Sequence, residues 1–109
     1  MTDVDLFEEV PPSRGRLLLA DGPEADRVAR RLRDDAWEVI RCGPGQTAEM
    51  LAAAAVDEDV AAVVVPEEAE AGLVAATRRA LDSLGVEIPV EHPGGDRLRQ
   101  AVGVRWRHV

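Results

Sequence analysis

"AWEVIRCGPGQTAEMLAAAAVDEDVAAVVV", Ala36 to Val65, is the stretch whose reading decides the architecture. "WEVIRC" reads as a strand, and "GPG" breaks it with three residues that favour turns. Thr47 is suited to cap a helix over "AEMLAAAAVDED", because its hydroxyl can accept from an amide of the first turn. "VAAVVV", Val60 to Val65, is apolar throughout rather than alternating. A strand buried on both faces has this composition, which points to a central strand of a parallel sheet.

The neighbouring stretches follow the same alternation. "RLLLA", Arg16 to Ala20, is a short apolar run and the first expected strand. Pro23 suits a helix start, with Glu24 and Asp26 favourable at its positive end. Ala25, Val28, Ala29, Leu32 and Ala36 then recur at helical spacing. "EEAEAGLVAATRRALDSLG", 67–85, reads as a third helix stopped by Gly85. "VEIPV", 86–90, reads as a fourth strand, Asp96 to Val102 as a short helix and "VRWRHV", 104–109, as a fifth strand. Residues 1–14 form an acidic leader that carries Leu6, Phe7 and Val10 and ends in "PPSR"; one domain spans 15–109.

The expectation is an α/β fold with a doubly wound, five-stranded parallel sheet, flavodoxin-like (Rossmann-like) in strand order 2-1-3-4-5 and lacking the last helix. Ligands in such sheets bind beyond the carboxyl ends of the strands. Those ends are Asp21-Gly22, Gly43-Pro44-Gly45, Pro66-Glu67-Glu68 and Glu91-His92-Pro93. Without a final helix, one face of the third, fourth and fifth strands is expected to lie bare. Its expected cover is a second subunit anchored by Trp106, making a homodimer, or else the leader folding back.

Composition removes several function classes. The 109 residues carry a net charge of −8, and a surface of that sign does not bind nucleic acid through its phosphates. Aromatic residues are 3% and hydrophobic residues 46%, so the core is built from Val, Leu, Ile and Ala. Arg27, Arg30, Arg31 and Arg33 cluster beside Asp26, Asp34 and Asp35, the pattern of a solvated helix face. The single cysteine, Cys42, allows no intrachain disulfide and reads as a packing residue; this and the absence of a signal-peptide pattern fit a cytoplasmic protein. Cys42, His92 and His108 lack the spacing of a metal site, so no metal is expected. A phosphorylatable receiver domain is excluded, since Pro66 stands where the acceptor Asp belongs and the chain has no Lys.

"GRLLLADG", 15–22, "ARRLRDDAWEVIRCGPGQTAEMLAAAAVDEDV", 29–60, with its G-x-x-Q-T turn, and "AAVVV", 61–65, together resemble the cobalamin-binding domain of acyl-CoA mutases such as methylmalonyl-CoA mutase. The resemblance runs from Gly15 to Val90 and then fades. It implies a corrinoid held at the strand ends by a D-x-H-x-x-G loop, whose imidazole ligates cobalt from below while the Asp fixes its tautomer. Laid on this chain, the Asp falls on Asp21, the His on Pro23 and the Gly on Asp26. Proline offers no lone pair to a metal. The family also keeps a Ser and small residues after the third strand, where this chain has Pro66-Glu67-Glu68. Its Gly-Gly pair after the fourth strand corresponds to Gly94-Gly95, which stand late, behind Glu91-His92-Pro93.

The resemblance therefore implies a degenerate member. The vestigial cofactor rim would be Asp21, Gly22, Gly43, Gly45, His92, Gly94 and Gly95, with no catalytic residue. The expected role is that of a structural or interaction module of a mutase-like assembly that does not bind cobalamin in the family's way. The alternative is a corrinoid- or nucleotide-binding accessory or carrier subunit of a methylmalonyl-CoA mutase-like isomerase. Catalysis by this chain alone is not expected, since such mutases keep their substrate site in a separate barrel.

Overall fold

The computed structural model describes residues 14–67 and 69–93. Four strands and three helices alternate: β1 (Arg16–Leu19), α1 (Ala25–Asp34), β2 (Glu38–Arg41), α2 (Ala48–Asp57), β3 (Ala62–Val64), α3 (Leu73–Ser83) and β4 (Val90–Glu91). The strands form one parallel sheet in the order β2-β1-β3-β4. This is the expected α/β architecture, compatible with a flavodoxin-like fold, with four strands among the described residues. The leader, the 96–102 helix, the fifth strand, Trp106, Glu68 and the Gly94-Gly95 pair lie outside the described residues.

β1 and β3 are the interior strands. Leu17, Leu18 and Leu19 of β1 are fully buried, as are Val63 and Val64 of β3. Alternation along the strands divides them between two cores. Leu18, Ala20, Val63, Val65 and Val90 pack with Leu51, Ala52 and Ala55 of α2 and Leu81 of α3. Leu17, Leu19, Ala62 and Val64 face the other way and pack with Ala25 and Ala29 of α1 and with Trp37. On this second face Ala62 and Val64 of β3 are 1% and 0% exposed, while the leader and fifth strand that bear on its expected cover lie outside the described residues.

The three helices end alike. In α1 the amide of Ala36 bonds the Arg33 carbonyl and that of Trp37 bonds the Leu32 carbonyl; α2 repeats this with Asp59 to Val56 and Val60 to Ala55, and α3 with Gly85 to Asp82 and Val86 to Leu81. These are Schellman motifs, which need a left-handed residue after the cap. That residue is Ala36 (φ 71°), Asp59 (φ 52°) and Gly85 (φ 74°). Gly85 ends its helix as the sequence implies. Ala36, read as a helical position, is instead the left-handed residue that ends α1. Its spacing mimics the helix because the motif folds the chain back onto the same apolar side, bringing Trp37 and Leu32 into one core.

At the helix starts, Thr47 accepts from the Met50 amide at 3.1 Å, as its position before α2 implies. The third helix is shorter than its sequence pattern suggests. It begins at Leu73 after a left-handed Gly72, because the Ala69 amide bonds back to the Pro66 carbonyl at 3.0 Å. The fourth strand is shorter too. Residues 86–89 form no ladder with β3; the Pro89 carbonyl accepts from the Val63 amide, but Pro89 has no amide hydrogen to donate, and regular pairing starts at Val90. On the surface, Arg27, Arg30, Arg31 and Arg33 are all exposed, as a solvated face requires.

Candidate functional site: the carboxyl ends of the strands

The loops beyond β1 and β3 meet where the strand order reverses. The Ala20 amide bonds the Val64 carbonyl at 3.0 Å, so both chains leave the sheet side by side. Pro23 and Glu24 then turn tightly into α1, with the Ala25 amide on the Gly22 carbonyl at 3.0 Å. Pro66 is buried and lies against Gly22: a Cβ added to Gly22 would stand 3.0 Å from Pro66 Cβ, 3.1 Å from Pro66 Cγ and 3.8 Å from Ala69 Cβ. At this switch point the Pro66 ring packs directly on Gly22.

His92 crosses from the end of β4 to the same place. Its Nδ1 lies 2.9 Å from the Val65 carbonyl oxygen. A carbonyl accepts only, so Nδ1 carries the hydrogen and a neutral ring presents its lone pair at Nε2. Gly22 and Pro66 are brought together, and His92 is held at the preceding Val65. Asp21 is exposed one residue away. Gly43 and Gly45 stand apart beyond β2, exposed, with no atom of another segment within 4 Å of where a Cβ would sit. Gly45 adopts φ 78°, which accounts for glycine there by the turn alone. Gly94 and Gly95 lie outside the described residues.

Cys42, at the end of β2, packs half-buried against the α2–α3 side of the sheet. Burial pushes its thiol above the usual pKa, so it is held as a protonated packing residue rather than a reactive thiolate. Among the described residues no group of three or more His, Cys, Asp and Glu is placed to hold a metal ion.

Pro23, where the resemblance would place an axial ligand, lies on a turn that runs directly into α1, and Pro66 lies against Gly22 between the β1 and β3 loops.

Two features of the β4 flank were not read from sequence. Arg78 of α3 reaches the β4 backbone and Glu91, and a groove of about 410 Å³ runs between α3 and residues 86–89, floored by Leu81, Val86, Ile88 and Pro89. Arg78 sits in "ATRRALDS", where one arginine of a pair looks like any other surface charge. Its partner is a backbone carbonyl, which leaves no signature in the sequence. No helix among the described residues is long and apolar enough to cross a membrane. In comparisons with known proteins, no protein-family model and no curated protein matches the chain.

Proposed function

We propose that this chain is a cobalamin-binding-like α/β domain whose ligand crevice is closed, and that it works as a cytoplasmic interaction module, its partner a mutase-like subunit or a second copy. The observation that carries the reading is the packing of Pro66 on Gly22 at the switch point, together with Pro23 in the axial-ligand position. A nucleotide tail entering between β1 and β3 would have to displace a buried proline. An open rim would instead present small residues with space above them, as Gly43 and Gly45 do without a counterpart on the β3 side. In an enzyme assembly the domain would belong to an isomerase of the acyl-CoA mutase type and contribute no catalytic group. The test is titration of the protein with hydroxocobalamin, followed by absorbance and calorimetry. No binding heat and an unchanged cobalamin spectrum are expected.

A second reading, a corrinoid- or nucleotide-binding accessory subunit, draws on His92. Its Nδ1–H is oriented by the Val65 carbonyl, which leaves Nε2 free to bind a metal already held by other ligands. Under this reading hydroxocobalamin would acquire an imidazole-ligated spectrum that His92→Ala abolishes.

A further inference from the structure

The groove between α3 and residues 86–89 has a volume of about 410 Å³ and an apolar floor of Leu81, Val86, Ile88 and Pro89. Val86, Ile88 and Val90 turn to the α2–α3 core, which is the groove's side of the sheet. By alternation Glu87, which also borders the groove, and Glu91 turn to the opposite side. Glu91 does so in register with Val64 of the α1 core. The flank is therefore apolar on one side and acidic on the other.

Arg78 fixes where a neighbouring segment can register along β4. The Val63 amide donates to the Pro89 carbonyl at 2.8 Å and the Val65 amide to the Glu91 carbonyl at 2.9 Å, so the carbonyls of Ile88 and Val90 point away from β3. Arg78 donates to the Val90 carbonyl from Nε at 3.1 Å and from Nη2 at 2.7 Å, which engages both lone pairs of that oxygen. A neighbour must then register on Ile88, at the groove.

We propose that the groove is the seat of Trp106 of the same chain, carried on "VRWRHV", 104–109, laid parallel along β4 with Trp106 opposite Ile88. The groove has room for an indole, whose burial removes a large apolar surface from water. In this segment the indole alternates with two arginines. With Trp106 on the groove side, Arg105 and Arg107 fall on the side of Glu87 and Glu91. A slip of one residue would set the arginines over the apolar floor and the indole among the carboxylates. Arg78, Arg79, Asp82, Glu87 and Glu91 together leave the flank with one net negative charge, which Arg105 and Arg107 oppose. Residues 92–103 make a connection of twelve residues, the length a crossover between parallel neighbours needs. Trp106 seated in this way is not available to anchor a second copy, so a partner must meet another surface. This holds whether or not the strand-end crevice takes a ligand.

The test is NMR of the full chain, with the Trp106 indole assigned as the resonance that Trp106→Phe removes. Nuclear Overhauser cross-peaks from that indole to the Leu81 and Ile88 methyls are expected at every protein concentration. A mixture of labelled and unlabelled chains should show none of them between chains. Ile88→Asp should abolish these cross-peaks and raise acrylamide quenching of tryptophan, while the Trp37 indole keeps its shift and reports an intact fold. A wild-type Trp106 indole in contact with neither residue would overturn the proposal. So would cross-peaks that run only between chains, the mark of a second copy in the groove, or cross-peaks that survive Ile88→Asp in a folded chain.

Discussion

Gly22→Ala probes the contact between the β1 and β3 loops directly. Gly22 is not among the residues with positive φ, so its backbone conformation is open to alanine and the cost is one of contact. The new carbon would sit 3.0 and 3.1 Å from two carbons of Pro66, against about 3.5–4.0 Å at the optimum. Pro66 is buried and its ring cannot rotate away, so the β1 and β3 loops must separate. Overpacking of this kind costs about 1–3 kcal/mol. Alanine restricts the unfolded chain and returns about 0.4–1 kcal/mol, which leaves a net loss of about 0–2.6 kcal/mol. Pro66→Gly removes both clashing carbons. In that background Gly22→Ala should be neutral or slightly stabilising, giving a coupling energy of about 1–3 kcal/mol. Urea unfolding of wild type, both single variants and the double variant closes the cycle. Additivity within about 0.5 kcal/mol would refute the contact between the two loops.

Ala36→Gly should stabilise the domain by about 1 kcal/mol, by relieving a left-handed alanine, and Gly85→Ala should destabilise it by about as much; thermal midpoints moving together in the same direction would contradict the shared helix ending. Val64→Ala should cost about 1–3 kcal/mol, because the side chain is fully buried in the sheet, whereas the exposed Arg30→Ala should cost less than about 0.5 kcal/mol. The raised pKa of Cys42 means that the folded state favours the thiol over the thiolate. Its contribution to stability is full below the unfolded thiol's pKa of about 8.5 and is lost as pH rises through the higher folded value. Chemical unfolding across that window should show this loss in wild type and not in Cys42→Ala.

The sheet was legible because its strands are chemically unlike everything around them. "LLL", 17–19, and "VVV", 63–65, carry branched aliphatics at every position, which only a strand covered on both faces can bury. The α2 cap was legible because Thr47 acts on an amide three residues away, within reach of a local pattern. Ala36 was misread because a Schellman ending and a continuing helix place an apolar residue on the same side, and alanine does not announce a positive φ as glycine does. The start of α3 was misplaced because the acidic, alanine-rich run before it has high helix propensity, while the turn after Pro66 and the left-handed Gly72 decide otherwise. The contact of Pro66 with Gly22, the bond from His92 to Val65 and the hold of Arg78 on Val90 link residues far apart in sequence, and local patterns do not encode them.

The central claim is that the strand-end crevice is closed to the ligand its architecture suggests. The most direct measurement is calorimetric titration of the full chain with hydroxocobalamin, with the absorbance spectrum recorded alongside. The account predicts no saturable heat and no shift toward an imidazole-ligated cobalt spectrum, because Pro23 offers no donor and Pro66 fills the space against Gly22. Stoichiometric, saturable binding with an imidazole-ligated spectrum would contradict it.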